Sequence, residues 1–154
     1  MAERSGTVTG LAIKPAHYAP MKEVHEVAVT TEGIEGSAFA TSVRRVTVLF
    51  QAPWDEANAE LGVSLPWHVR RANVLVTGLR PEQVMKKRIR LGEVELHIHG
   101  ETKPCGRMDD ASPGLQKALK PDLRGGVYGS VVREGSIRVG DTVTILEESK
   151  GESE

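Results

Sequence analysis

Alternating apolar and polar positions mark most of this chain as short β-strands. Val46, Val48 and Phe50 recur at every second residue in 43–50, and Val94, Leu96 and Ile98 do the same in 94–98. The second run is preceded by 88–91 and Gly92-Glu93, a glycine-first two-residue turn that predicts a hairpin. Further strands are predicted at 7–14, with Gly10 as a bulge or point of close approach, and at 24–30, with Val27 and Val29 on one face. The stretch 64–71 leads into an apolar strand at 73–77, ended by Gly78. Strands at 127–133, 136–139 and 142–146 close the chain, with turns at Glu134-Gly135 and Gly140-Asp141. Helical patterns are few and short. One at 55–61 follows Pro53, and one after Ser112-Pro113, read as N-cap and first helical residue, runs to Leu119 before Pro121.

Strands outnumber helices and do not alternate with them at βαβ lengths. The predicted fold class is mostly β (α+β): a closed or half-closed β-barrel, which hides many short edges, with a few short helices. Length suits a single domain with its core at about 7–146 and a charged, disordered tail at 147–154. The polar, glycine-marked segment 31–42 is too long for a tight turn and reads as a site loop or a mobile one.

A formal net charge of −1 gives no support to a whole-surface nucleic-acid or membrane binder. Aromatics at 4% leave little for stacking on bases. One cysteine in the whole chain excludes an internal disulfide and a several-cysteine zinc site. With no signal-peptide pattern and no apolar run of bilayer length, a soluble cytoplasmic protein is expected.

That cysteine, Cys105, is the candidate catalytic and metal-binding residue. Lys103 and Arg107 flank it, and nearby cations favour the thiolate, the form that attacks electrophiles and binds soft metals. Pro104 and Gly106 bracket it. The alternative is a small buried side chain without reactivity, and Glu101, Asp109 and Asp110 oppose a lowered pKa. Arginines at Arg44-Arg45, Arg70-Arg71 and Arg124, before Gly125-Gly126, suit a phosphate or another compact anion, or are solvated strand ends. Arg71 and Asn73, two apart, are expected on one strand face, where cation and amide can grip one polar ligand. His97 and His99 share strand spacing for a metal, but no third ligand is evident in their segment.

Three stretches in order carry a resemblance: 70–78 (RRANVLVTG), then 103–109 (KPCGRMD) continuing through Leu119, then 124–129 (RGGVYG) followed by 135–143 (GSIRVGDTV). Together they resemble the MOSC domain, named for the carboxy-terminal part of molybdenum cofactor sulfurase, over residues 7 to 146. The resemblance implies a barrel of the pyruvate-kinase type and a single cysteine at position 105. It implies that Cys105 receives sulfur as a persulfide and passes it on, or ligates molybdenum as in amidoxime-reducing enzymes. Residues matching Arg71 and Asn73 then hold the pterin phosphate of the molybdenum cofactor (molybdopterin), with Lys103, Arg107 and Arg124 as further cofactor-binding candidates. A non-catalytic cofactor binding or delivery module, or a member with a degenerate site, is the alternative. The early loop departs from the family's Gly-Ile/Leu-x-Gly-Asp pattern, because Ser37 replaces the acid after Gly36. Standing alone, such a domain is expected to take sulfur from a cysteine desulfurase or another donor protein, or electrons from a redox partner.

Overall fold

A computed structural model describes residues 5–16, 19–38, 45–104 and 106–146. Its strands are β1 (Ser5–Ile13), β2 (Lys22–Val24), β3 (Glu26–Thr30), β4 (Gly33–Ile34), β5 (Val46–Phe50), β6 (Val74–Thr77), β7 (Arg88–Leu91), β8 (Val94–Glu101), β9 (Val127–Arg133), β10 (Gly135–Arg138) and β11 (Thr142–Ile145). Four short helices, α1 (Gln51–Leu61), α2 (Pro81–Val84), α3 (Met108–Ala111) and α4 (Leu115–Leu119), and 3-10 turns at Trp67–Arg70 and Pro121–Leu123 complete the described elements.

The main sheet runs β11-β7-β8-β9-β5-β6-β1, and β11 also pairs with β1, so seven strands close into a barrel. β2 continues this sheet from β1, while β10, β3 and β4 form a separate small sheet. Closure leaves the ring itself with no free edge. Only β5 and β6 pair in parallel among the ring's neighbours. A parallel pair needs a long crossover, and α1 with the Trp67–Arg70 turn supplies it.

Two apolar clusters explain the two kinds of strand pattern. Val46, Val48, Phe50, Val74, Val76, Leu96 and Ile98 fill the barrel interior. Leu49 and Leu75 point the other way and pack with Trp54, Ala57, Leu115 and Leu119 from α1 and α4. β5 and β6 are thus covered on both faces over part of their length, which is why their sequence reads as a near-continuous apolar run. β8 has only one covered face, so its alternation is clean: Val94, Leu96 and Ile98 are buried and Glu95, His97 and His99 half-buried.

Differences from the sequence reading have local causes. The strand expected at 24–30 is broken at His25, because β2 stays with the barrel and β3 leaves for the small sheet. Helix α1 begins at Gln51, with Pro53 inside its first turn, where a missing N–H costs nothing. Ser112 is not an N-cap; α4 is entered through Gly114, at φ 89°. The turn residue Gly92 does take positive φ, 60°. Gly10 falls at a register shift between β1 and β6 and lies under the Trp67 ring, which a Cβ would meet at 2.9 Å. The tail 147–154 lies outside the described residues.

Candidate functional site

A cavity of about 380 Å³ opens where β5, the 70–73 turn, the segment after β8 and the start of α3 converge. Lys14, Arg70, Arg71, Lys103 and Arg107 line it, and no carboxylate is among its described lining residues. Four of the predicted site residues, Arg71, Asn73, Lys103 and Arg107, are brought together here. Lys14 has no signal in the sequence, and Arg70 enters there only as one of a doublet suited to an anion or to a solvated strand end. A lysine at a strand end and the first arginine of a doublet look like solvated termini.

The doublet Arg70-Arg71 divides its work. Arg70 is 7% exposed, and its guanidinium donates from Nε to the Gly125 carbonyl (3.0 Å) and from Nη2 to the Thr102 carbonyl (2.6 Å). It therefore ties the turn before β6 to the segments after β8 and before β9. Gly125 is required at this crossing, since a Cβ would stand 2.6 Å from the Thr102 carbonyl oxygen and 3.1 Å from Nη2 of Arg70. Arg71 ends the 3-10 turn in a left-handed conformation, φ 66° and ψ 34°. A residue with a Cβ is strained there, and such strain collects at functional sites. Arg71 precedes β6 and is not on a strand, so the shared strand face expected for Arg71 and Asn73 does not exist.

Asn73 is buried, and its amide is engaged by the protein itself. Oδ1 accepts the backbone N–H and the hydroxyl of Thr47, both at 3.0 Å, and Nδ2 donates to the Ala12 carbonyl at 3.2 Å. It joins β1, β5 and β6 behind the cations. The expected grip by a cation and an amide side by side is therefore a cation on a wall that the amide holds. Nearby, the buried hydroxyl of Thr102, another lining residue, has no hydrogen-bond partner among the described residues.

Crowding of like charges marks the recess. Burial pushes the Lys14 ammonium below its ordinary pKa, and the Arg71 and Arg107 charges push it further. Arg71 is lowered by burial first and by Arg107 second.

Arg124 does not line this cavity. Its Nη2 meets Glu60 of α1 at 2.8 Å, its Nε approaches Glu56 at 3.8 Å, and its Nη1 donates to the Ala118 carbonyl at 3.0 Å. The two helical carboxylates hold it in a structural clamp and raise its pKa, Glu60 through a hydrogen bond foremost. Arg124→Gln is expected to cost about 1–2 kcal/mol of stability while leaving anion affinity of the folded protein unchanged, as read by denaturation and by calorimetry. His97 and His99 lie on the outer face of β8 with ring centroids 4.6 Å apart, and His99 Nε2 is 2.8 Å from the Ser130 hydroxyl. Burial first, then His97 and Lys86, lowers the His99 pKa. No group of three metal-ligating side chains occurs among the described residues. Cys105 lies outside the described residues, between Pro104 and Gly106.

The sequence matches the family model of the MOSC domain over residues 35–144, more than half of the chain. The chain belongs to the MOSC family. This MOSC chain is similar in fold to the YuaD protein of Bacillus subtilis, with a TM-score of 0.80 at 20% identity over 97% of this chain and 100% of that one. It is also similar to YiiM of Escherichia coli, with a TM-score of 0.68 at 16% identity over 93% and 71% of the two chains. YiiM of Geobacillus stearothermophilus gives a TM-score of 0.69 at 19% identity over 95% and 75%. No curated protein matches the sequence. MOSC domains are associated with the molybdenum cofactor. Among the described residues the recess has the donors an anionic cofactor end requires: lining cations with no lining carboxylate, and the buried Thr102 hydroxyl without a partner. Among the described residues no helix is long and apolar enough to cross a membrane.

Proposed function

We propose that this MOSC chain holds the phosphate-bearing end of the molybdenum cofactor in the cationic recess and supplies Cys105 as the reacting thiolate. The observation that carries this reading is the convergence of Lys14, Arg71, Lys103 and Arg107 on one cavity with no carboxylate among its described lining. Guanidinium forks and ammonium groups suit a phosphate, and a thiolate suits sulfur or molybdenum. Lys14 and Arg71 would hold the phosphate, Arg70 and Asn73 keep the wall in place, and the Thr102 hydroxyl is available to donate or accept. When bound, the cofactor supplies a redox-active metal with sulfur ligands. Lys103 and Arg107, two residues to either side of Cys105, connect the thiol covalently to the lining of the recess.

As a sulfur carrier, the Cys105 thiolate attacks the outer sulfur of a persulfide on a donor such as a cysteine desulfurase. A new S–S bond forms at Cys105, the donor's S–S bond breaks, and the donor cysteine leaves as a thiolate, with no net oxidation. Incubation with a cysteine desulfurase and cysteine is expected to add one sulfur atom to the wild type and none to Cys105→Ser, read by intact-protein mass spectrometry. An equal gain in the variant would place the sulfur elsewhere. Purification from a cofactor-producing host followed by metal analysis tests the metal-ligand form of the same chemistry, which would require a separate redox partner. There, Cys105→Ser should lose molybdenum. Retention of metal without turnover of an N-hydroxylated substrate would instead mark a delivery module.

A further inference from the structure

The loop that carries β4 is fastened to the end of β1 through two residues, Ser37 and Ala38. Ser37 Oγ accepts the backbone N–H of Lys14 at 2.9 Å, and the N–H of Ala38 donates to the Lys14 carbonyl at 2.8 Å. Both backbone groups of Lys14 are therefore held by this loop. The same Oγ stands 3.5 Å from Nδ2 of Asn73 and 3.5 Å from the Ala38 carbonyl. Asn73 in turn fixes Ala12 and Thr47. Ser37 is thus where the loop, β1 and the Asn73 hub meet, and Lys14, Ala38, Thr47 and Asn73 all line the recess.

What matters at this junction is that the acceptor is uncharged. A carboxylate could accept the same N–H, but it would add a negative charge beside Lys14 and Ala38 in a recess whose described lining has none. That charge would favour the lysine's ammonium form but offset its field in the recess and repel an incoming anion. A methyl group would leave the Lys14 N–H without this acceptor and the loop tied to Lys14 by the Ala38 N–H alone.

We propose that Ser37 is a positioning residue for anion binding, fixing Lys14 in the wall of the recess with a neutral acceptor so that its full charge faces a compact dianion of the phosphate-monoester type. This rests on the anion-binding reading of the cavity given above. The electrostatics agree with it: burial, Arg71 and Arg107 all depress Lys14, and no carboxylate among the described lining residues offsets them. Anion entry therefore relieves a repulsion that Ser37 does nothing to cancel.

The test is calorimetric titration of inorganic phosphate into the full chain, for wild type, Ser37→Asp and Ser37→Ala, each also in a Lys14→Met background. Thermal unfolding is followed in parallel. Ser37→Asp should weaken phosphate binding about tenfold, and Ser37→Ala about threefold, with little change in melting temperature. The loss from Ser37→Ala should vanish once Lys14 is methionine, because the serine acts through that lysine. Wild-type affinity in both serine variants would overturn the role, as would an undiminished loss in the Lys14→Met background. If Ser37→Asp does not fold, Ser37→Ala and its double variant decide. A wild type that binds no phosphate would remove the anion-binding reading itself, and the role of Ser37 with it.

Discussion

Replacing Arg70 with leucine is expected to lower stability by about 3 kcal/mol. The side chain is 7% exposed and donates to two main-chain carbonyls from distant segments, Thr102 and Gly125. Leucine would fill much of the volume but leave both oxygens without those donors, beside a glycine crossing too close for a Cβ. Lysine should rescue little, since one ammonium cannot span two carbonyls in the fixed fork of a guanidinium. Urea denaturation measures the difference. A loss under 1 kcal/mol would mean that the crossing is held by its packing and not by the guanidinium's hydrogen bonds.

Arg71→Gly should move stability and binding in opposite directions. Its left-handed backbone, φ 66°, is unfavourable for any residue with a Cβ, and glycine removes that strain. Some of the gain is lost to the greater freedom of the unfolded chain, leaving about 1 kcal/mol of stabilisation. Loss of the guanidinium from the recess should weaken phosphate or cofactor binding by about 10- to 100-fold. Arg71→Ala keeps the strain and loses the cation, so it should bind as poorly as the glycine variant without its higher melting temperature. Equal stability in the two variants would show that the backbone at 71 is not strained. Wild-type affinity in both would show that the arginine does not meet the anion.

The parts of this fold legible in the sequence are those set by local periodicity. Val94, Leu96 and Ile98 announced a strand with one covered face, and Val46, Val48 and Phe50 one whose alternate positions face the barrel interior. Ring closure was expected only as the economical way to hide edges, because the β1–β11 pairing joins residues from opposite ends of the described chain. The candidate site was legible as residue types and not as geometry. Arg71 and Asn73 stand two apart in a strand-like run, yet a 3-10 turn ends at Arg70 and rotates Arg71 out of register. Arg124 beside two glycines looked like an anion cradle. Its partners, Glu56 and Glu60, lie on a helix far back in the sequence, and no local pattern reveals them. Lys14 shows the reverse case, since its meaning comes wholly from Ser37, Ala38 and the arginines folded around it.

The closing register, Ser5 against Thr144 and Thr7 against Thr142, has a consequence for biosynthesis. During translation the ring stays open at β1 until the segment Thr142–Ile145 has been made, since β11 bridges β1 to β7. Pairings that span so much of a chain form late and slowly. The wall that carries Lys14 is the far end of the strand awaiting that partner, so the recess is a finished site only after β11 has paired.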